Sequence, residues 1–240
     1  MLIFLDIETT GLEEGDTIVS LGLLGEGEDE TYIKYELVNE HKKISSEASS
    51  INHITNEMLK GKPSFKESEI YAFLQKHNNQ ENTLVAHNIN FVLGKISKSA
   101  IRWRGALIDT SRVTKHLIPE CEHFSLQFLR YELKLYKDEP KVLKNTTLID
   151  KVFAHHALGD AVVVKLLYEY LLQLRTKTQM MELSFQNVLL QKLDFGKYKD
   201  RYIEDIMMQD IGYLQWMLAN VMDLDEDLRY SINYYLEEQA

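Results

Sequence analysis

The chain opens with a short apolar run that leads directly into two acidic residues, and this segment limits most strongly how the chain can fold. Leu2–Asp6 is nearly continuous in apolar side chains, and Glu8 follows two positions after Asp6. A short apolar run of this kind is typical of a strand that is buried on both faces. Because residues i and i+2 of a strand point to the same side, the carboxylates of Asp6 and Glu8 converge at the end of this strand.

Two neighbouring carboxylates at the end of a buried strand create an electrostatic problem. Ionised carboxylates repel each other, and burial strengthens the repulsion. A divalent cation such as Mg²⁺ or Mn²⁺ removes it, since both ions prefer oxygen ligands. The alternative for an isolated Asp-x-Glu pattern is a strand that ends in solvent with two ordinary surface acids. The buried run before Asp6 and the turn at Gly11 favour the metal site.

The rest of the pattern predicts a mixed α/β sheet. Three antiparallel strands open the fold, and alternating helices and strands follow, so that helices cover the sheet. The further predicted strands are Thr17–Leu24, Thr31–Val38, Thr83–Ala86 and Ala106–Asp109. The predicted helices are Asn56–Lys60, Phe65–His77, Asn88–Ile101, Ser111–His116, Ser125–Leu135 and His155–Leu174.

Another acidic position lies near the start of the longest predicted helix. Asp160 shares a helical face with Ala157, Ala161 and Val164, which is otherwise a core face. A buried acid on an apolar stripe needs a partner or a metal. His155 falls at or before the first turn of this helix, where it can act as a general base near neutral pH. The alternative is that His155 only begins the helix and that Asp160 is a paired core acid.

These motifs, in this order, resemble those of the DEDDh 3′–5′ exonucleases. Phe4–Leu12 resembles the first exonuclease motif of that family, and Leu84–Phe91 resembles the start of the second. His155–Asp160 resembles the third motif, and Ile51–Thr55 resembles a helper segment between the first two. The resemblance extends over residues 1–172, with the order and spacing of the motifs intact.

The resemblance implies a fold and a reaction. The fold would be ribonuclease H-like, with a mixed five-stranded sheet flanked by helices. The reaction would be hydrolysis at the 3′ end of single-stranded DNA, with RNA as an alternative, by two divalent ions, Mg²⁺ or Mn²⁺. Asp6, Glu8 and Asp160 would be the catalytic metal ligands, and His155 would be the general base. The residues implied in binding the terminal nucleotide are Thr9, Thr10, Leu12, His87, Asn88 and Phe91.

One position departs from the family pattern. The second motif of the family ends with an aspartate directly after the phenylalanine, whereas Val92 stands at that position here, and no carboxylate follows before Ala100. Valine cannot bind a cation, so the sequence predicts one good metal position and one impaired position. Three explanations remain open: an enzyme with weakened or rearranged catalysis, a non-catalytic binder of nucleic-acid 3′ ends, and a deliberately inactivated form of an active enzyme.

The charge distribution indicates a second unit at the C-terminus. Residues 194–240 carry eleven acidic and four basic side chains, which account for most of the net charge of −10. We predict an exonuclease domain over residues 1–175, a linker over 176–193 and a small α-rich module over 194–240, which we call the C-terminal module. Its acidity favours a protein partner over direct contact with phosphate.

The C-terminal module resembles the small module that follows the nuclease domain in exodeoxyribonuclease X-like proteins. The resemblance is carried by Phe195–Lys199 and by Gly212–Leu218. Asp200 stands where glycine is usual and Ile211 where proline is usual, so the turn geometry at these two positions is in question.

Composition excludes several other classes of protein. No apolar run approaches the roughly 20 residues of a membrane helix, which predicts a protein without a membrane partner. The single cysteine, Cys121, excludes an intramolecular disulfide framework and suits a reducing cytoplasm. The net negative charge argues against a protein that binds nucleic acid by general electrostatic attraction, although bound metal ions would still allow phosphate binding.

Overall fold

A computed structural model describes residues 1–28 and 30–237 of the chain. Its strands are Leu2–Thr9 (β1), Ile18–Glu26 (β2), Thr31–Leu37 (β3), Thr83–Ala86 (β4) and Ala106–Asp109 (β5). Its α-helices are Ser46–Asn52 (α1), Glu69–Lys76 (α2), Ile89–Ser97 (α3), Thr110–Leu117 (α4), Leu126–Glu132 (α5), Glu139–Leu143 (α6), Ala157–Leu172 (α7), Lys177–Leu183 (α8), Ile203–Asn220 (α9) and Glu226–Glu237 (α10). Within the two described ranges, no helix combines the length and the apolar character that crossing a bilayer requires.

The strands form one mixed sheet in the order β3-β2-β1-β4-β5. β1 is antiparallel to β2, and β2 is antiparallel to β3. β4 lies parallel to β1, and β5 lies parallel to β4. The predicted α/β fold, with a five-stranded mixed sheet flanked by helices, is therefore confirmed. Because β1, β4 and β5 run in the same direction, their carboxyl ends lie along one edge of the sheet, where α/β proteins commonly bind their ligands.

The two faces of β1 divide the core into two clusters. Phe4 belongs to the cluster that contains the buried side chains of α7, whereas Ile3 and Leu5 belong to the cluster on the opposite face. Since side chains alternate along a strand, Asp6 and Glu8 lie on the face of Phe4. The two acids therefore point to the side of the sheet that α7 covers.

Short helices differ from the prediction. The helix predicted at Asn56–Lys60 is wrong, because that segment forms turns, and the helix of this region is α1. α1 is mostly polar, and its N-cap residue stabilises its first turn. The Ser45 hydroxyl accepts a hydrogen bond from the backbone N–H of Ala48. α6 was also not predicted, since five residues are too few to show a helical period.

The segment predicted as a linker, residues 176–193, contains α8. This helix begins at a capping box formed by Thr176 and Gln179. Met180 of α8 is fully buried in the cluster beneath α7. The Ser184 hydroxyl accepts a hydrogen bond of 2.9 Å from the backbone N–H of Asp109 in β5. The first half of the segment thus packs on the sheet, while the proposed domain bounds stay a prediction.

The C-terminal helices α9 and α10 have a core of their own, which confirms the predicted α-rich region. Its buried members include Ile203, Ile206, Leu214, Met217, Leu228 and Ile232. Asp227 of α10 joins this region to α4 through two hydrogen bonds from the Arg112 guanidinium, of 2.8 and 2.9 Å. Asp200 adopts a φ of 65°, a left-handed conformation that glycine adopts most easily. The backbone at position 200 therefore has the geometry for which glycine is usual in the related modules.

We expect Gly22→Ala in β2 to lower the free energy of unfolding by about 1–3 kcal/mol, the usual cost of overpacking. A methyl group at this position would lie 2.1 Å from the backbone nitrogen of Leu158 and 2.3 Å from the carbonyl oxygen of Ala157. β2 and the start of α7 must then separate. Urea unfolding followed by circular dichroism measures the change.

Gly94→Ala in α3 is the matched control. No atom lies within 4 Å of the methyl group that this change adds. Because alanine favours a helix over glycine, we expect a gain of about 0.5–1 kcal/mol. Equal stability of the two variants would contradict the close approach of α7 to β2.

Candidate active site

The start of α7 lies directly on the strand pair that carries the two acids of the first motif. Asp6 of β1 pairs with Gly22 of β2. Because Gly22 has no side chain, the backbone of Ala157 occupies the space above it. His156 is the N-cap of α7, and Asp160 lies in the first turn. This close approach brings Asp160 over the carboxyl end of β1.

The four residues predicted to carry the chemistry meet at this point. One ligand atom from each of Glu8, His155 and Asp160 lies within 4.8 Å of the other two. Asp6 is adjacent, since the charges of Glu8 and Asp160 both act on its carboxylate. Asp160 is buried, the other two acids are half-buried, and His155 is exposed. The fold places the four residues together, and their catalytic roles stay a prediction.

Burial raises the pKa values of all three acids, and the charges of neighbouring carboxylates raise those of Asp6 and Glu8 further. Burial, followed by the charge of Asp160, raises the pKa of Glu8 from 4.5 to about 8. Burial raises the pKa of Asp160 from 3.8 to about 7. The pKa of Asp6 lies well above 3.8, because of burial and then the charges of Asp160 and Glu8. In the absence of a cation, the cluster therefore holds protons near neutral pH, and a divalent ion that binds here would release them.

His155 has the position and the ionisation state of a general base. Its backbone adopts a φ of 57°, and its N–H donates a hydrogen bond of 2.9 Å to Oδ2 of Asp160. Histidine at positive φ is uncommon and often marks a local functional constraint. Desolvation and then the charge of His53 lower the pKa of His155. The imidazole is therefore neutral at neutral pH and can accept a proton.

A buried network holds Asp160, and the sequence did not reveal it. Gln127 of α5 donates a hydrogen bond of 2.5 Å from Nε2 to Oδ1 of Asp160. Arg130 donates to Oε1 of Gln127 at 3.1 Å, which fixes the orientation of the amide. Arg130 is itself held by Glu139 of α6 through contacts of 2.6 and 3.0 Å. Both oxygens of Asp160 thus have a fixed donor. Gln127 and Arg130 share a face of α5, but nothing in the sequence identifies their distant partners.

Thr9 and Thr10 shape the turn that follows β1. The Thr9 hydroxyl donates to the carbonyl of Gly11 at 2.6 Å, and the Thr10 hydroxyl donates to the carboxylate of Asp16 at 2.7 Å. Both threonine side chains are buried. Their backbone is engaged as well, since the Thr10 N–H donates to the carbonyl of Thr17 at 2.9 Å and the Thr9 carbonyl accepts from the Asn52 amide at 3.3 Å. The nucleotide contact that the resemblance implies for these two residues stays a prediction. Leu12, at the tip of this turn, is 87% exposed.

His87 and Asn88 are held by the protein where β4 ends. Nε2 of His87 lies 2.8 Å from the carbonyl oxygen of Phe124, and Nδ1 lies 3.0 Å from the hydroxyl of Thr110. Burial lowers the pKa of His87, so the ring is neutral and donates from Nε2. Both ring nitrogens of His87 are thus engaged within the protein, and its part in binding the nucleotide stays a prediction. Asn88 is exposed with a φ of 69°, and its side chain caps α3 by accepting a hydrogen bond from the N–H of Phe91.

Asp109, the last residue of β5, holds the turn that follows β4, although it belongs to none of the sequence motifs. Its carboxylate accepts hydrogen bonds from the backbone N–H groups of Asn88 at 3.2 Å and Ile89 at 3.0 Å. It also caps α4 by accepting from Ser111 and Arg112. Asp109 is buried and fully engaged in this way, so it stabilises the turn of the second motif.

Val92 is a core residue in this fold. Its side chain is 2% exposed and belongs to the apolar cluster on the face of the sheet opposite α7. The neighbouring Phe91 is half-buried, and the Lys95 ammonium lies 5.3 Å from its ring centroid. The position at which the family has its second-motif aspartate is therefore filled by packed hydrocarbon. Reduced metal binding at this position stays a prediction.

The donor set at the end of β1 fits a hard divalent cation. Carboxylate oxygens suit Mg²⁺ and Mn²⁺, and an imidazole can add a nitrogen. Among the described residues, no lysine or arginine forms an ion pair with Asp6 or Glu8. The compensating positive charge must therefore come from protons or from a cation. Glu8, His155 and Asp160 are the residues whose atoms lie close enough to share one ion.

The chain belongs to the exonuclease family. Residues 3–168, well over half of the chain, match the family model described as "Exonuclease" (RNase_T). Residues 193–221 match the model described as "Exodeoxyribonuclease X-like C-terminal". Both resemblances drawn from the motifs are thereby confirmed.

Individual relatives agree with this membership. The chain is 25% identical to exodeoxyribonuclease 10 of Escherichia coli (strain K12) over 239 residues, which cover 99% of both chains. It is 28% identical to the PolC-type DNA polymerase III of Thermotoga maritima over 210 residues, which cover 82% of this chain and 14% of the polymerase. The solved structure of exonuclease X in complex with 5′ overhanging duplex DNA shares the fold, with a TM-score of 0.58 and 24% identity over 77% of this chain and 99% of that one.

We expect Gln127→Ala to weaken Mn²⁺ binding about 10–100-fold, the usual effect of losing a residue that orients a metal ligand. Without the amide, Oδ1 of Asp160 loses its donor and the carboxylate can rotate. Isothermal titration calorimetry with Mn²⁺ measures the affinity. Gln75→Ala is the matched control, because Gln75 is exposed on α2, where its amide donates to the Tyr71 hydroxyl at 3.0 Å. Equal affinity of the two variants would show that Gln127 does not orient Asp160.

The contribution of Glu8 to stability should fall with rising pH in the metal-free protein. The unfolded chain loses the Glu8 proton near pH 4.5, whereas the folded chain retains it to about pH 8. The folded state thus binds more protons between these values, and its stability decreases as pH rises through them. We expect Glu8→Gln to gain stability relative to the parent chain between pH 5 and pH 9.

Urea unfolding of both proteins in EDTA at these two pH values measures that gain. Addition of Mg²⁺ should stabilise the parent chain more than Glu8→Gln at pH 9, because the ion takes the place of the lost protons. A difference in stability that does not change with pH would exclude a raised pKa for Glu8.

Proposed function

We propose that this chain is a 3′–5′ exonuclease that removes nucleotides from the ends of single-stranded DNA, and that Val92 impairs its hydrolysis. The observation that carries the proposal is the convergence of Asp6, Glu8, His155 and Asp160 in a chain of the exonuclease family. DNA is favoured over RNA because the relatives include an exodeoxyribonuclease and DNA polymerases.

Each residue of the cluster has a distinct part in this proposal. Asp6, Glu8 and Asp160 would hold Mg²⁺ or Mn²⁺. Such ions, when bound, activate the attacking water and stabilise the charge on the leaving oxygen. His155 accepts the proton from the water, and its lowered pKa keeps the ring ready for that step. Because His155 is exposed, it can then release the proton to solvent.

The turn after β1 supplies the surface for the terminal nucleotide. Leu12 would offer its exposed apolar side chain to the base, and the half-buried Phe91 would add an aromatic ring. The turn is fixed from α3, since the buried Lys95 ammonium donates to the carbonyls of Glu13 at 2.7 Å and Asp16 at 3.1 Å. A rigid turn of this kind presents Leu12 to the nucleotide without an ordering cost, and contact with the backbone of Thr9 and Thr10 stays a prediction.

Val92 is the basis of the second candidate function, a binder of DNA 3′ ends without turnover. The nucleotide surface and the first-motif acids do not depend on position 92, whereas the second metal does. A binder would hold 3′ ends and yield no product. An enzyme with weakened catalysis, whether natural or engineered, would yield product slowly and only with Mg²⁺ or Mn²⁺.

We further propose that the protein acts in the cytoplasm, which its single unpaired cysteine, Cys121, supports. A protein partner for the acidic C-terminal module stays a prediction.

We expect Val92→Asp to raise the rate of hydrolysis of a 5′-labelled single-stranded DNA at least tenfold in Mg²⁺ or Mn²⁺, with a ladder of products shortened from the 3′ end. This change restores the acid to which the family resemblance assigns the second metal position. Asp6→Ala should yield no product, because it removes a ligand of the first position. Gel electrophoresis of timed samples measures the rates.

Val92→Asn is the matched control. Asparagine has nearly the size of aspartate, so both variants bury a polar side chain in the apolar cluster at a similar cost in folding free energy. Asparagine lacks the negative charge that a metal ion needs. We expect Val92→Asn to be no faster than the parent chain. Equal rates for the parent and Val92→Asp would contradict the impairment, and binding without product by the parent would favour the second candidate function.

A further inference from the structure

Three aromatic rings group together in the C-terminal module, and one of them, Trp216, is exposed. Trp216 of α9 is 52% exposed and stacks on Tyr213, with ring centroids 5.9 Å apart and planes inclined by 27°. Tyr198 meets the same tyrosine edge to face at 5.0 Å. The Lys197 ammonium lies 4.6 Å from the Tyr198 ring centroid. We call these four residues the Trp216 platform.

The Trp216 platform is held by specific contacts. The Asp210 carboxylate accepts hydrogen bonds from Lys197 at 3.0 Å and from the Tyr198 hydroxyl at 2.8 Å. The backbone of Asp210 leaves the helical conformation, which interrupts α9 just before Tyr213. Gly196 has a φ of 77°, and a methyl group there would lie 2.5 Å from the Tyr213 hydroxyl. The rings are thus fixed in place although one face of Trp216 is open to water.

The chain segment that carries Lys197 and Tyr198 is basic, in contrast to the module as a whole. Residues 192–201 carry four basic side chains, Lys192, Lys197, Lys199 and Arg201, against two acidic ones. All four are exposed. Most acidic residues of the module come later, in α9, in α10 and in the turn between them. The net acidity of the module therefore does not extend to this segment, in which exposed cations accompany the rings and Asp210 pairs with Lys197.

The module is attached at the same edge of the sheet as the candidate active site. Asp227 of α10 binds Arg112, which lies in the first turn of α4. α4 directly follows the carboxyl end of β5, and the carboxyl end of β1 with its acids lies two strands away. Asp227 also accepts a hydrogen bond of 2.9 Å from the backbone N–H of Val188. These contacts fix the module beside the edge at which the proposed substrate would bind.

We propose that the Trp216 platform is a second binding site for single-stranded DNA, where a base stacks on the Trp216 indole and neighbouring phosphates contact the nearby lysines. Aromatic rings beside cations bind single strands in this way, because every base has a face that can stack. Because Asp227 anchors the module at the edge of the sheet that carries the acids, in this proposal one strand extends from the Trp216 platform toward the candidate active site. This binding does not require hydrolysis, so it can be tested apart from the proposed function.

The test uses the full chain in EDTA, where no metal supports hydrolysis. Trp103→Phe leaves Trp216 as the single tryptophan, since the chain has two. We expect a twenty-residue oligothymidylate to quench the Trp216 fluorescence and a four-residue one to quench it much less. Adding Trp216→Ala to the parent chain should weaken binding of the long strand, measured by fluorescence anisotropy, about five- to hundredfold. Trp216→Phe should recover most of it.

Met222→Ala is the matched control, because Met222 lies in the same module and is 92% exposed. Lys199→Ala should reduce the salt dependence of binding by about 0.7 in the slope of log K against log salt. If the long strand leaves the Trp216 fluorescence unchanged and Trp216→Ala binds like Met222→Ala, the proposal is wrong. That result would instead favour a protein contact for the Trp216 platform. It would leave the proposed exonuclease activity unaffected, because hydrolysis is measured independently with Mg²⁺ or Mn²⁺.

Discussion

The packing of α7 on Gly22 is the contact on which the candidate site depends. Asp6 and Glu8 come from a strand, whereas Asp160 lies in the first turn of a helix that begins about 150 residues later and His155 lies just before the N-cap of that helix. These groups meet because the backbone of Ala157 lies where any side chain at position 22 would be. The apolar cluster around Phe4 and α7 holds that contact from below. Hydrophobic burial in this cluster thus offsets the electrostatic free energy that is needed to bring three acids together.

The sequence predicts the site as far as its residues lie in local patterns. Spacing along one strand identifies Asp6 and Glu8, and spacing around a helix start identifies His155 and Asp160. Gln127 and Arg130 were missed because their importance depends on contacts with residues up to 33 positions away. The sheet was predictable from apolar runs, and β4 and β5 have the predicted bounds. α1 was not predictable in this way, because the segment is mostly polar and its start is determined by the Ser45 cap.

The electrostatics of the site and the packing at position 92 have opposite consequences for metal binding. The three acids are destabilised without a cation, as their raised pKa values indicate, so folding and metal binding are coupled at the first position. Val92 contributes its burial to the core and offers nothing to an ion. The chain therefore gains packing at the position where its family has a charge. The core is apolar at position 92, and the carboxylate that the family has there is missing.

The segment between the two regions has a consequence for where this chain can be divided. β5 is a four-residue strand at one edge of the sheet, and its outer N–H at Asp109 is bonded to the Ser184 hydroxyl. Unpaired groups on such an edge are a template for strands of another molecule. A chain cut after α7 would retain every motif of the nuclease and lose α8 with Ser184. It would then expose this edge and the apolar cavity that Met180 fills, and would tend to self-associate.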